Sequence, residues 1–377
     1  MASTQRLPAL LTPLDTALEG WLQDFAPVVA EDVPLAEALG RVAADMPPLD
    51  PVPSRDLAAG DGWALFARDL VGASSYSPLP LRSLPVWVEA GETMPADCDC
   101  VVDADAIEHT GSIIQVLTEA IPGQGVRRAG RDIADGATAI EAGRMVGPSE
   151  LLIARAAGLR QLSIRRPRLR ILNIPSASRE SVAVELIAEK ARLAGAQVVR
   201  DESGGRDADS IATALNEARN TDVCDLVVTI GGTGVGRSDA TIIAIARCGE
   251  VSVHGIALQP GRTGALGRIG RLPIVALPGA PDQALGVWWA ISLVALDRLA
   301  GRERRPQQML PLRRKIASQV GVAEIALLQR TEQGWLPLSV GDLSYASVAG
   351  ADGWLLVEGA SEGFAAGTPV DAYMMRD

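Results

Sequence analysis

The sequence predicts a multidomain α/β protein with a central α/β domain, in which βαβ crossovers build a mostly parallel sheet. Between residues 168 and 300, apolar segments of strand length alternate with segments of helical periodicity, as in βαβ proteins. Residues 79–131 and 305–377 instead alternate apolar and polar residues around glycines, which predicts small β domains. With 377 residues, the chain is long enough for several domains.

Residues 1–46 and 133–166 are predicted to form one discontinuous helical and linker domain. A helix begins near Leu14, because apolar residues recur at helical spacing from there to Phe25. A second, short helix is predicted over residues 34–42, before the helix-breaking pair Pro47-Pro48. A further helix is predicted over residues 151–158.

Residues 47–132 are predicted to form an inserted β domain, with strands over 84–89, 100–107 and 113–117 and a hairpin turn over 109–112. Asp61 lies between Gly60 and Gly62, where it has little steric cover and can reach a ligand or a metal; an ordinary turn is the alternative. The segment 125–133 carries three arginines and Asp132 between glycines, which fits either an anion clamp or a solvated charged loop.

Residues 167–304 are predicted to be the α/β domain, and residues 305–377 a C-terminal barrel-like or sandwich-like β domain. In the α/β domain the predicted strands are 168–174, 197–200, 226–230, 257–262 and 272–277, and the predicted helices are 180–194, 209–218, 240–248 and 282–300. In open α/β sheets, ligands bind at the carboxyl ends of the strands. We therefore expect the loops 175–180, 231–239, 259–264 and 278–283 to meet in one pocket.

The stretch 226–241 predicts a buried strand, a glycine-rich turn and a helix. Four glycines after the strand allow close approach of a ligand to the backbone and positive φ angles; they are Gly231, Gly232, Gly234 and Gly236. Ser238 or Asp239 is predicted to cap the helix, whose first N–H groups would then face an anion. The alternatives are a glycine turn that serves packing alone and an aspartate that serves only as a cap.

The composition excludes several classes of protein and site. A net charge of −11 argues against a general nucleic-acid binder. No apolar run has the length of a membrane span and residues 1–11 lack a signal-peptide core, so we expect no membrane partner and a cytoplasmic location. The four cysteines lie in unrelated contexts, which favours free thiols over a metal site. With only His109 and His254, chemistry must rest on carboxylates, amides, hydroxyls and arginines.

Over nearly its whole length the chain resembles the molybdopterin molybdenumtransferases, enzymes of molybdenum-cofactor synthesis related to the gephyrin E domain. The resemblance rests on six segments: 51–65 resembles P-x-x-x-S-A-M-D-G-Y-A, 91–102 resembles G-A-P-x-P-x-G-x-D-A-V-V, 127–133 resembles R-x-x-G-E-D-I, 230–239 resembles S-G-G-x-S-x-G-x-x-D, 258–267 resembles K-P-G-K-P-x-x-x-G, and 277–281 resembles L-P-G-N-P.

The resemblance implies an elongated homodimer whose site is closed by a domain of the partner subunit, and a molybdoenzyme or an adenylyltransferase as a further partner. It implies hydrolysis of adenylated molybdopterin, with Mg²⁺, and insertion of molybdate into the dithiolene. The implied catalytic residues are Asp61, Asp132, Asp239 and Arg262, of which Asp61 and Asp239 also hold the metal. The implied pterin-binding residues are Gly231, Gly232, Thr233, Gly234, Gly236, Ser238, Gln259, Pro278, Gly279 and Pro281.

The sequence departs from the family pattern at charged residues that the resemblance places around the pocket. The family's T-G-D-E-L is replaced at 175–180, Gln259 stands in place of the first lysine, and Arg262 in place of the second. Glutamine supplies only neutral hydrogen bonds to an oxyanion, whereas arginine still binds it bidentately. Two hypotheses follow: an active transferase, or a non-catalytic molybdopterin-binding carrier or maturation factor. A structural dimer, or an enzyme acting on another phosphate ligand, is a third.

Overall fold

A computed structural model of the chain describes residues 5–111, 113–175, 182–220 and 224–375. The chain divides into two compact units. One comprises Met1–Ala44, Ala142–Val146 and Ser163–Asp377, and the other comprises Asp45–Glu141 and Gly147–Leu162. The finer division into four domains stays a prediction. Among helices built from the described residues, none is both long and apolar enough to span a membrane.

The N-terminal part of the first unit begins with the predicted helix. It contains β1 (Thr12–Pro13), α1 (Leu14–Leu22), β2 (Glu31–Pro34), α2 (Leu35–Ala38) and β3 (Val42–Ala43). Leu14, Ala17 and Trp21 of α1 are buried in the main core. The second helix is shorter than predicted because Gly40, with φ of +72°, ends it, and Val42 then pairs in a strand with Arg165.

The second unit consists of short strands and one helix. Its elements are β4 (Leu57–Ala58), β5 (Gly62–Leu65), β6 (Leu79–Pro80), β7 (Val86–Val88), β8 (Cys100–Val102), β9 (Ile107–Thr110), β10 (Ile113–Val116), β11 (Val126–Arg127) and α3 (Pro148–Ala156), with 3-10 turns at Ala67–Leu70 and Ala104–Ala106. The sheets are β7-β5-β8, β6-β10-β9 and β11-β4. The predicted strand over 100–107 is wrong, because a 3-10 turn divides it between two sheets. The predicted hairpin joins β9 and β10, and its residue Ser112 lies outside the described residues.

The α/β region contains the predicted strands and helices in order, together with three strands that were not predicted, Gln161–Arg165, Glu250–His254 and Ala265–Ile269. It contains β12 (Gln161–Arg165), β13 (Arg168–Asn173), α4 (Val182–Leu193), β14 (Gln197–Glu202), α5 (Ala208–Asn220), β15 (Leu226–Ile230), α6 (Thr241–Cys248), β16 (Glu250–His254), β17 (Ile256–Gln259), β18 (Ala265–Ile269), β19 (Leu272–Leu277), α7 (Pro281–Val287), a π-helical turn Trp288–Ser292 and α8 (Leu293–Ala300).

The six-stranded sheet has the order β14-β13-β15-β19-β18-β16. The first four strands are parallel, and β18 and β16 extend the sheet antiparallel. All five residues of β15 are buried, as expected of a strand covered by helices on both faces. The sheet is therefore mixed, with a parallel part that places the turn after β15 near its middle.

The predicted strand over 257–262 is wrong in its partner. Its counterpart β17 ends at Gln259 and pairs with β1, not with the six-stranded sheet. The C-terminal elements are β20 (Gln307–Pro311), β21 (Ile316–Ala317), β22 (Ala323–Thr331), β23 (Gly334–Val340), α9 (Tyr345–Gly350), β24 (Gly353–Val357), β25 (Gly363–Phe364) and β26 (Pro369–Met374). A seven-stranded sheet of order β1-β17-β22-β24-β26-β20, with β23 beside β22, joins both ends of the chain.

Candidate ligand-binding site

A cavity of about 320 Å³ opens at the carboxyl end of β15. Its lining comes from the loops after β13, β14, β15 and β19 and from Thr263, namely Ile174, Arg206, Ile230, Gly231, Gly232, Thr233, Gly234, Asp239, Thr263, Pro278, Gly279 and Ala280. Three of the four predicted loops thus come together here. Of the fourth, residues 176–180 lie outside the described residues.

A larger cavity, of about 580 Å³, lies at the amino ends of β15 and β19, between Asp225, Arg268 and Pro273. Its Arg268 is already paired with Asp24, at 2.8 Å. Ligands of open α/β sheets bind at the carboxyl ends of strands, so the smaller cavity is the better candidate site.

The turn after β15 requires glycine. Gly231 and Gly232 have φ of +106° and +68°, in the region that other residues rarely adopt. A Cβ atom on Gly232 would lie 2.5 Å from Oγ1 of Thr241, and one on Gly231 would lie 3.1 Å from the carbonyl oxygen of Ile174. The turn is therefore both left-handed and closely packed.

The carbonyl oxygens of this turn all accept hydrogen bonds from the protein. That of Gly231 accepts from Oγ1 of Thr241 (2.8 Å), and that of Gly232 from the backbone N–H of Thr241 (3.1 Å). Those of Gly232 and Gly234 accept from Nε2 of Gln5, and that of Thr233 from Nε2 of His254. The acceptors are thereby occupied.

The backbone N–H groups of the turn differ from its carbonyl oxygens in how many of them are hydrogen-bonded. The N–H of Gly231 donates to Leu277, but those of Gly232, Thr233 and Gly234 have no partner among the described residues. Gly232 and Thr233 are buried. Because buried donors are almost always paired, these unpartnered N–H groups make the turn the candidate for binding an anion.

The start of α6 differs from the prediction. Its N-cap is Ala240, which makes no side-chain hydrogen bond, so the predicted capping by Ser238 or Asp239 is wrong. The first amides of the helix are also occupied, since Thr241 donates to Gly232 and Ile242 donates to Oε1 of Gln5. The first two amides of α6 are therefore not available to a ligand.

Arg206 and Asp239 are the one cation and the one carboxylate among the described residues that line the cavity. Nη2 of Arg206 lies 3.3 Å from Oδ1 of Asp239, whose Oδ2 accepts from the N–H of Gly236 at 3.0 Å. Nη1 of Arg206 donates to the carbonyl of Pro175 at 2.5 Å, and its buried Nε has no partner among the described residues. Sequence reasoning missed Arg206. Its signal was a cation in the loop after β14, at the carboxyl edge of the sheet.

Asp207, beside Arg206, has a structural task. It accepts hydrogen bonds from the backbone N–H groups of Ser210 and Asp209 and from the hydroxyl of Ser210 at the start of α5. These bonds, those from Ser210 foremost, lower the pKa of Asp207. Asp207 thus caps a helix instead of facing the cavity.

Several predicted binding residues lie outside the cavity lining; they are Gly236, Ser238, Gln259, Arg262 and Pro281. The side chain of Arg262 is exposed, and its carbonyl accepts from the N–H of Ile256 at 3.1 Å. Gln259 ends β17, opposite Glu324 of β22. Their predicted roles stay predictions.

Asp61 and Asp132 belong to the second unit, and each has a local partner. Oδ1 of Asp61 accepts from the N–H of Ala90 at 2.8 Å, and Oδ2 of Asp132 lies 2.6 Å from Nη2 of Arg127. These contacts neither require nor oppose a catalytic role. Their predicted participation in the site stays a prediction.

The carboxylates near the cavity do not fit a metal held by protein side chains alone. The described residues contain no cluster of three or more His, Cys, Asp or Glu side chains suited to a metal. Asp239 has both oxygens engaged, by Arg206 and by Gly236. Magnesium is usually held by one or two carboxylates together with waters and substrate phosphates. The described lining therefore offers magnesium no carboxylate besides Asp239.

Comparison with known proteins identifies two matching families. The model of the MoeA N-terminal region (domain I and II) matches residues 12–158, and that of a probable molybdopterin binding domain matches residues 171–298. Molybdopterin molybdenumtransferase 2 of Mycobacterium tuberculosis is 30% identical over 311 residues, covering 70% of this chain and 76% of that protein. The molybdopterin molybdenumtransferase of Synechococcus elongatus is 24% identical, covering 96% and 99%. A crystal structure of the molybdopterin biosynthesis protein MoeA from Pyrococcus horikoshii has a TM-score of 0.77 at 25% identity, covering 97% of this chain and 100% of that one.

Proposed function

We propose that this chain, which belongs to the molybdopterin molybdenumtransferase family, binds the phosphoanhydride of adenylated molybdopterin at the turn after β15 and inserts molybdate into the dithiolene. The observation that carries the proposal is a set of donors at one cavity that have no partner among the described residues: the N–H groups of Gly232, Thr233 and Gly234 and the Nε of Arg206. Backbone amides and a guanidinium are the donors that phosphate oxygens prefer.

The size of the cavity supports binding of only one part of the ligand. About 320 Å³ lies at the lower end of small-molecule sites, so the cavity accommodates phosphate groups while the pterin and the adenosine extend beyond it. The lining contains four glycines and has no described aromatic ring for stacking. This composition favours a phosphate over a planar heterocycle.

In the proposed reaction, water attacks the phosphoanhydride, AMP and phosphorylated molybdopterin separate, and the protons of the water pass to solvent. The two dithiolene thiols of molybdopterin then bind molybdate, and one oxo ligand of molybdate leaves as water with the two thiol protons. Arg206 neutralises charge that develops on the phosphoryl oxygens. As the guanidinium turns toward the phosphate, Oδ1 of Asp239 is released to orient the attacking water. The remaining parts of the proposal rest on the family resemblance. They are the magnesium ion, Asp61, Asp132, Arg262, the homodimer, the protein partners and the cytoplasmic location.

The test is release of AMP from adenylated molybdopterin by the purified chain, with magnesium and molybdate present, followed by reconstitution of a cofactor-free molybdoenzyme. We expect AMP release and reconstitution, and loss of both in Arg206→Gln. The matched control is Arg271→Gln, which changes an exposed arginine in the turn between β18 and β19. Absence of AMP release by the unsubstituted chain would contradict the transferase proposal.

A second candidate function is molybdopterin binding without transfer. It is favoured by the single carboxylate of the described cavity lining, which is already held by Arg206 and Gly236. A carrier would bind molybdopterin in a titration, release no AMP, and fail to restore molybdoenzyme activity in a strain that lacks the transferase. Restoration of activity in that strain would exclude the carrier function.

A further inference from the structure

Gln5 is a buried polar residue that ties the N-terminal segment to the turn after β15. Its side chain is 6% exposed. Nε2 donates to the carbonyl of Gly232 at 2.7 Å and to that of Gly234, and Oε1 accepts from the N–H of Ile242 at 3.2 Å. One side-chain amide thus holds two residues of the turn and the first turn of α6.

The segment around Gln5 is fixed in place by its neighbours. Pro8 and Leu7 pack against Gly255, where an added Cβ atom would lie 2.9 Å from Cδ of Pro8. The N–H of Thr12 donates to the carbonyl of Gly255 at 3.0 Å, and β1 then pairs in parallel with β17. Gln5 is therefore presented to the turn by an ordered segment.

We propose that Gln5 is a positioning residue for ligand binding, and that the N-terminal segment is thereby part of the binding apparatus. The identity of the ligand rests on the proposed function. A turn rich in glycine has many conformations in the absence of restraint, and ordering it upon binding costs affinity. Gln5 lowers that cost because its hydrogen bonds hold the turn in one conformation before the ligand binds.

Gln5 also sets the polarity of the turn. Gln5 donates to the carbonyl of Gly234 and, together with the N–H of Thr241, to that of Gly232, and so it engages two acceptors that would repel an anion. The adjoining N–H groups of Gly232, Thr233 and Gly234 have no partner among the described residues. His254 completes the arrangement at the carbonyl of Thr233, 3.1 Å from its Nε2. The turn is left with donors alone for a ligand.

The test compares Gln5→Met with Gln23→Met, a control at an exposed glutamine of the same compact unit. Methionine keeps the volume of the side chain and removes its hydrogen bonds. In Gln5→Met we expect amide exchange at Ile242 to rise at least tenfold and that at Val227 and Val228 in β15 to stay unchanged. We expect the Kd for inorganic pyrophosphate, the probe, to rise about tenfold, and neither effect in Gln23→Met.

Unchanged amide exchange at Ile242 would contradict the stabilising role of the hydrogen bonds that Gln5 makes to the turn and to α6. Faster exchange with an unchanged Kd for pyrophosphate would overturn the role of Gln5 in binding. If the unsubstituted chain binds no pyrophosphate, both the proposed function and the binding role of Gln5 fail. Amide exchange at Ile242 still reports whether Gln5 holds the turn and α6 by its hydrogen bonds. Gln5→Ala repeats the comparison if the methionine is poorly tolerated.

Discussion

Arg206 and Asp239 are joined by a single long contact, 3.3 Å between Nη2 and Oδ1, and not by a bidentate pair. Their side chains are 33% and 19% exposed. A guanidinium and a carboxylate bind most strongly through two parallel hydrogen bonds, which this pair does not make. We therefore expect a phosphate that offers better geometry to compete well with Asp239 for Arg206.

We expect Arg206→Lys to weaken binding despite keeping the charge. Lysine presents a point charge in place of a planar fork, and it loses the anchor on the carbonyl of Pro175. Hydrogen bonds to charged groups contribute about 1.5–3 kcal/mol, so the Kd for molybdopterin should rise roughly tenfold or more, as measured by calorimetric titration. Arg271→Lys is the control. Equal affinities of Arg206→Lys and the unsubstituted chain would show that only charge matters.

Asp239→Asn should separate binding from turnover. Loss of the negative charge releases Arg206, so we expect several-fold tighter binding of pyrophosphate, with AMP release falling at least tenfold because no carboxylate orients the water. The remaining amide oxygen still accepts from the N–H of Gly236, which preserves the turn. Asp207→Asn is the control, since Asp207 caps α5 and does not line the cavity. Tighter binding with undiminished AMP release would limit Asp239 to a structural role.

The fold was predictable where a strand has one environment along its whole length. β15 and β19 are apolar runs, and the positions of β13, β15 and β19 match the prediction closely. β16, Glu250–His254, was missed because it has no apolar run and no buried residue. β17 was assigned to the wrong sheet because a short apolar run does not specify its partner. That choice depends on β1 and β22, which are remote in sequence.

The site was predictable where residues close together in sequence form it. Glycines after a buried strand indicated the turn, and Asp239 follows within the same loop. Arg206 and Gln5 were missed because their roles arise from contacts between remote parts of the chain; Gln5 precedes Gly232 by 227 residues. The helix terminus was misjudged for the same reason, since the acceptor for Ile242 comes from Gln5. Local patterns identify backbone geometry better than they identify hydrogen-bond partners.

Gly232→Ala should destabilise the protein more than Gly270→Ala does. Both glycines have similar φ, +68° and +62°, so each substitution has a left-handed strain of about 1–2 kcal/mol. Only at Gly232 would the added Cβ atom meet a neighbour, Oγ1 of Thr241 at 2.5 Å, while the surroundings of Gly270 are open. We expect a larger loss in the free energy of unfolding, measured in urea, and loss of pyrophosphate binding for Gly232→Ala alone. Equal losses would mean that the contact with Thr241 relaxes freely.

His254 should make the first unit less stable in mild acid. Burial lowers the pKa of His254 below its ordinary value of 6.5, an effect that outweighs its hydrogen bonds to the carbonyls of Thr233 and Arg6. The unfolded chain therefore binds the proton more readily, so stability is full above about pH 6.5 and falls as the pH drops through the lowered pKa. His254→Gln keeps a donor for Thr233 and removes the titration. We expect its loss of unfolding free energy between pH 8 and pH 5.5 to be smaller than that of the unsubstituted chain. His109→Gln, at an exposed histidine of the second unit, should keep the original pH dependence. An identical pH dependence in His254→Gln would assign the acid sensitivity to other groups.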